Sequence, residues 1–313
     1  MKSYSRKTLK KVWRIIIITL VVYICMSFAI TKLVYDSCFP RYEGQKEYAE
    51  ELSDVISIRQ SIDFISDGNT LCGYFYGKGN NDRIVVIAGG LNSVADDYLW
   101  QIKSFLDYGY HVFAFDGTGC GNSEGKSCVG FSQQVLDLEA ALTYINNNYD
   151  YEEVFLFGHS RGGYAACTVD AGRYNIAAVV SVSGINSAME AIMEPALQRA
   201  GFIAYGNYHF LWMYQAMLFG PEVVNLSAEN ELDKSGVPAL IIQGANDDVA
   251  PMDSSSIYSH KGDIESSKVE YYLCDIPGQD GHTDLMYDTD GTANDVLMNI
   301  INQFYSKNTT VSN

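Results

Sequence analysis

Polar and apolar positions along this 313-residue chain fall into three patterns. The first is one long apolar run. Residues 15–30 are uncharged and almost wholly apolar, and Val12-Trp13 and Leu33-Val34-Tyr35 can extend them. That makes about 20 helical residues, enough to fill a ~30 Å hydrocarbon core. The second is a series of short apolar runs at residues 84–88, 110–115, 153–157, 177–182, 238–243 and 269–274, separated by stretches of helical period. They read as strands, and residues 58–76 add a hairpin turned at Asp67-Gly68-Asn69. Strand and helix alternating in this way predict an α/β fold with a mostly parallel central sheet covered by helices on both faces. The third pattern belongs to neither. The stretch from 183 to 237 fits no strand, and within it residues 201–214 are markedly aromatic. Residues 36–54 read as a polar tether holding a helix over 43–52, with Pro40-Arg41 and Gly44 open to protease.

Charge divides the chain at the apolar run. Residues 1–14 hold Lys2, Arg6, Lys7, Lys10, Lys11 and Arg14 and no acid. The remainder carries 15 of the 21 basic side chains against all 38 acidic ones, a formal −23 within the chain's −17. A basic flank stays on the cytoplasmic side of a membrane. The pattern therefore predicts a cytoplasmic tail over 1–11, a transmembrane signal anchor over 12–34, a linker over 35–54 and one extracytoplasmic domain over 55–313. The alternative is a protein secreted after signal-peptide cleavage, for which Cys25-Met26-Ser27-Phe28-Ala29-Ile30 is a poor site. So acidic a surface repels nucleic acid and offers anionic headgroups no general attraction, which leaves the N-terminal helix as the membrane contact. Six cysteines lie beyond the run, and in an oxidising compartment they can pair. Cys120 and Cys128 flank one Gly-rich loop and are the first choice, Cys38 with Cys72 the second; Cys167 and Cys274 read as small core residues.

Chemistry enters at Val154-Phe155-Leu156-Phe157-Gly158-His159-Ser160-Arg161-Gly162-Gly163. A buried strand turns abruptly into the helical run Tyr164-Ala165-Ala166-Cys167 through Gly-x-Ser-x-Gly, a turn so tight that the serine's neighbours must be small. Such a turn lifts the hydroxyl out of the sheet beside a helix N-terminus, whose amides can stabilise an oxyanion. A serine nucleophile needs a base and an acid, here following it in the chain. Three histidines do so. His209 sits among aromatics and His260 near the end of a polar helix, whereas His282 lies on the turn-rich loop Pro277-Gly278-Gln279-Asp280-Gly281-His282 beyond the last strand, the place from which a base reaches the sheet edge. The acid is Asp247 or Asp248, on the loop after strand 238–243, with Asp253 reserved as the cap of a following helix. Nothing calls for a metal or cofactor: the chain has no His-x-x-x-His, no Cys-x-x-Cys and no phosphate loop with its lysine.

From about residue 55 to 306 the chain resembles the α/β hydrolases, of the capped, monoacylglycerol-lipase-like or serine-aminopeptidase-like kind. The matching pieces, in family order, are Val85-Val86-Ile87-Ala88-Gly89-Gly90, Asp116-Gly117-Thr118-Gly119-Cys120-Gly121-Asn122-Ser123, the turn at Ser160, Gly244-x-x-Asp247-x-x-x-Pro251 and Gly281-His282. The resemblance implies a triad of Ser160, Asp247 and His282, favouring Asp247 because the family acid stands three residues after that glycine. It implies an oxyanion hole from the backbone N–H of Gly90, with Leu91 as alternate, and of Arg161. It makes residues 185–235 a cap, with Leu91, His159, Tyr205 and Trp212 as pocket-lining candidates. Two positions depart from the family: Ala88-Gly89 stands for His-Gly, and Thr118 for a structural arginine. The expected activity is a serine carboxylesterase or acylglycerol-lipase-like hydrolase acting on a small ester with an apolar portion. The alternatives are an aminopeptidase or amidase taking a peptide substrate, and a hydrolase-like protein that only binds.

Overall fold

The computed structural model describes residues 6–44, 48–77 and 81–309. Helix α1 (Arg6–Cys38) runs further than the apolar run requires, four residues past its expected end. Its side chains are exposed through Met26; beyond that, Ser27, Thr31 and Tyr35 are buried. The following segment is not the open tether its polarity suggests. Tyr42 exchanges backbone hydrogen bonds with Gly119 and Gly121. The Arg41 guanidinium donates to the carbonyls of Gly121, Ser123 and Gly125, so this arginine is clamped where a protease site was expected. Part of the helix expected over 43–52 falls on residues 45–47, outside those described, and residues 48–49 are not helical. Gly44 adopts φ +79, a turn conformation, and the first helical turns are a 3-10 turn over Glu50–Leu52 and α2 (Ser53–Ile58), which press Leu52 and Val55 into the core.

Eight strands form one sheet in the order β1-β2-β4-β3-β5-β6-β7-β8. They are β1 (Gln60–Ser66), β2 (Asn69–Tyr76), β3 (Arg83–Ala88), β4 (His111–Phe115), β5 (Glu153–His159), β6 (Ile176–Val182), β7 (Ala239–Gly244) and β8 (Val269–Cys274). The first two form the expected hairpin and β2 runs antiparallel to β4; every other pairing is parallel. The apolar runs lack alternation because both sheet faces are covered. Ile84 and Val86 face one core, with α4 (Gln133–Asn148), α5 (Arg161–Thr168) and α9 (Ala228–Ser235). Val85 and Ile87 face the other, with α2, α3 (Leu99–Asp107) and α10 (Asp295–Lys307).

The non-strand insertion is a cap made of α6 (Ala188–Ala200), a 3-10 segment (Gly201–Asn207), α7 (Tyr208–Phe219) and α8 (Pro221–Val224). A third apolar cluster joins the cap to the end of α1: Tyr35 and Phe39 pack with Met189, Met193, Leu211, Tyr214 and Phe219. Helix α9, inside the expected cap range, instead packs beside α5 and puts Ala228 and Leu232 into the core on that face.

Candidate active site

Ser160 stands between β5 and α5 with φ +56 and ψ −119. A residue bearing a Cβ holds such a backbone only at a cost of about 1–3 kcal/mol. The structure enforces it by crowding. A Cβ on Gly158 would lie 2.2 Å from the Gly162 carbonyl oxygen, and one on Gly162 would lie 2.0 Å from the Ala88 carbonyl oxygen. Both glycines are therefore needed for β3, β5 and α5 to meet at the serine.

Asp247 follows β7 and is held on every side. One oxygen accepts the N–H groups of Val249 and Ala250 at 2.9 and 2.8 Å, and the other accepts Gln243 Nε2 at 2.9 Å. His282 Nδ1 lies 2.9 Å from both oxygens. Burial opposes ionisation of this carboxyl, but the His282 contact and the two amides outweigh it, leaving its pKa below the usual carboxylate value. Asp248 is exposed at the rim of the site, so the structure joins Asp247, not Asp248, to the histidine. The other histidines are elsewhere: His209 is exposed on the cap, and His260 pairs with Glu190 and Glu229. Asp253 caps nothing, because only a 3-10 turn (Ile257–His260) follows and Ser256 caps it.

On the loop after β3, expected to hold the oxyanion, the Gly90 N–H donates to the Tyr98 hydroxyl at 2.8 Å and is already engaged. Tyr98 Oη in turn contacts His159 Nδ1 at 3.0 Å, and His159 Nε2 meets the His282 carbonyl at 3.1 Å. With His159 neutral, one proton arrangement satisfies these contacts: Tyr98 donates to Nδ1, and His159 donates from Nε2. Burial, followed by the nearby His282, lowers the His159 pKa to about 3, which keeps the ring neutral. His159 thus ties the loop carrying His282 to the loop after β3. Tyr98 and Gln243 went unseen in the sequence, where one is an aromatic before a helix and the other a strand-end amide with no motif to mark it. The Arg161 side chain, 2% exposed, donates through Nε to the Gly90 carbonyl at 3.1 Å and fixes the same loop from the other side. Thr118, at the family's arginine position, binds Asp137 through both N–H and hydroxyl.

A cavity of about 920 Å³ opens onto Ser160 and His282, and Leu91 and His159 are among the residues that line it. Two of the expected pocket residues do not. Tyr205 lines a neighbouring apolar groove within the cap, and Trp212 packs in the cap–α1 cluster, donating its Nε1 to Asn225. Both sit on helical segments whose aromatic density reflects packing and surface rather than the pocket. Acids also reach the cavity: Asp96, Asp97, Glu194 and Asp248. Among the described residues, Glu229, His260 and Asp263 have metal-ligand spacing, but none of them lines this cavity. The seven cysteines are free thiols; Cys120 and Cys128 face each other with Sγ atoms 3.3 Å apart, whereas Cys38 is exposed and Cys72 half-buried.

The family model described as serine aminopeptidase, S33, matches residues 79–205, which include the Ser160 turn. No curated protein matches the chain significantly. Many solved structures share the fold. The Pyrococcus furiosus esterase Pf2001 is 18% identical with a TM-score of 0.64, over 86% of this chain and 98% of its own. The α/β hydrolase GrgF from Penicillium sp. sh18 is 17% identical with a TM-score of 0.59, over 81% and 99%. Est1E from Butyrivibrio proteoclasticus, solved with ferulic acid bound, is 19% identical with a TM-score of 0.57, over 79% and 98%.

Proposed function

We propose that this α/β hydrolase is a serine hydrolase cleaving carboxylic esters that have an apolar portion, anchored by α1 with its hydrolase domain on the extracytoplasmic side. The observation that carries the reading is the convergence, on one cavity, of a serine in a strained turn with an Asp247–His282 pair. His282 takes the Ser160 proton as Oγ attacks the carbonyl carbon, while Asp247 holds the Nδ1 proton and stabilises the imidazolium. The N–H groups of Leu91 and Arg161 receive the oxyanion, the second as the first amide of α5; losing one such donor typically costs ~10²–10³ in kcat. The alcohol leaves with the proton from His282. Water deprotonated by the same ring then releases the acid from Ser160.

A fluorophosphonate probe should label the wild type and not Ser160→Ala. That variant should lose ~10⁴-fold or more of its activity, and activity within tenfold of wild type would refute the assignment. An aminopeptidase is the second reading. The family model's own description favours it, as do the acids in the cavity, which could bind an α-ammonium. A panel of acyl esters against aminoacyl amides separates the two, with the esters expected to turn over.

A further inference from the structure

The uncharged core of α1 is short for a bilayer. Between Arg14 and Lys32 lie 17 uncharged residues, 15–31. At 1.5 Å per residue they rise roughly 25 Å, against a hydrocarbon core of ~30 Å. To cross a bilayer, the whole run must lie within it. Yet the outer part of that run is already covered by the cap. Ser27 and Thr31 are buried, and Phe28 packs edge-on against Tyr214 with ring centres 5.8 Å apart. Tyr23 meets Phe210 of α7 at 6.3 Å. Along the helix Tyr23 sits about 13 Å below Lys32, and the cap residue touching it must sit about as deep.

The cap's composition agrees. Residues 200–221 contain no Asp, Glu, Lys or Arg, in a chain 19% charged. Helix α7, Tyr-His-Phe-Leu-Trp-Met-Tyr-Gln-Ala-Met-Leu-Phe, shows no polar face, and such a helix belongs inside a core or a membrane. It has only half a core: Met213 and Met217 are 46% and 72% exposed, and Phe202 just before the helix is 84% exposed. Polar groups return at the outer end. There Lys32 binds Asp36 at 2.5 Å and the Tyr214 hydroxyl at 3.0 Å, and that hydroxyl donates to Asp36. This clasp is where headgroups would begin.

We infer that the 3-10 segment and α7 are inserted beside α1 in the outer leaflet, and that the catalytic cavity draws an acyl lipid sideways from the bilayer. A route exists. An apolar groove of about 490 Å³, walled by Met189, Met193, Leu197, Tyr205 and Tyr208, shares Glu194 and Gln198 with the catalytic cavity. A chain lying in that groove would end beside the cavity in front of Ser160.

The inference rests on the proposed anchor, and the test separates them. p-Benzoylphenylalanine is placed at Ile17, Phe202 or Val296 of the full chain, in phosphatidylcholine vesicles carrying an alkyne-tagged phosphatidylcholine. Irradiation should capture lipid from positions 17 and 202 and not from 296, an exposed site on α10. Capture at 17 without 202 leaves the anchor standing and overturns insertion of the cap; capture at neither overturns both. The readout does not involve Ser160, so failure of the esterase reading is scored independently. In a second arm, Phe202→Asp should slow hydrolysis of a long-chain acyl lipid in the vesicles at least tenfold while p-nitrophenyl butyrate turns over within twofold of wild type. Equal effects on both substrates would overturn the inference.

Discussion

Replacing Asp247 by Asn changes one atom at the most connected carboxylate of the site. The carboxylate accepts from Val249 N–H, Ala250 N–H, Gln243 Nε2 and His282 Nδ1. An asparagine offers one acceptor oxygen. If that oxygen keeps the two amides, the new NH₂ faces Gln243 Nε2 and His282 Nδ1, donor against donor. His282 then escapes by moving its proton to Nε2, the nitrogen that must be free to take the Ser160 proton. On the proposed mechanism the expected loss in kcat is ~10⁴, or about 5.5 kcal/mol at 1.36 kcal/mol per decade, by comparison with the same change in a characterised Ser-His-Asp triad. Stability suffers separately. Once His282 has switched tautomer, its Nδ1 accepts from the new NH₂, so one contact is lost outright, that from Gln243, worth about 1.5–3 kcal/mol, and the thermal midpoint should fall by a few degrees. Initial rates on p-nitrophenyl butyrate and a thermal melt in the same detergent read both effects. Asp248→Asn is the control, since that side chain is exposed and should change kcat by less than threefold. Asp247→Asn retaining a tenth of wild-type kcat, or a larger loss at Asp248, would refute the reasoning.

Other consequences can be checked as directly. His159 is neutral in the folded protein with a pKa of about 3 against an ordinary 6.5. Its contribution is therefore present above pH 6.5 and lost as pH falls towards 3, about 2–3 kcal/mol by pH 4.5. Urea unfolding of wild type and His159→Gln across that window should differ in slope, and identical slopes would count against a buried neutral ring. Gly162→Ala drives a Cβ to 2.0 Å from the Ala88 carbonyl oxygen and should cost about 3 kcal/mol or more, seen as loss of folded protein; an unchanged melting temperature would mean the turn is loose. Cys120 and Cys128 should be disulfide-linked in protein recovered from the oxidising side of a membrane. Trypsin cuts between them at Lys126, so the two peptides should stay joined until reduced; separate unreduced peptides would argue against the proposed topology.

The sequence alone determined the elements whose causes are local. Six apolar runs of strand length could be buried only in a sheet covered on both faces, and β3 to β8 appear where those runs lie. Gly158-x-Ser160-x-Gly162 prescribes its own turn, because only glycines fit beside a serine at φ +56. His282 was legible from the loop chemistry around it. Between Asp247 and Asp248 the residue types say nothing; the fold decides, since the loop after β7 buries one side chain against Gln243 and His282 and leaves its neighbour in water. The Gly90 amide is another such case. Its engagement by Tyr98 needs β3 and the start of α3 brought together, and no spacing records that. The reading of the polar linker failed for the same reason. Residues 39–44 look solvated by composition, yet Arg41 finds three carbonyls and Tyr42 two backbone partners on a loop some eighty positions away. Composition reports what a segment can bury, whereas hydrogen-bond partners far along the chain are supplied only when the sheet has brought them into reach.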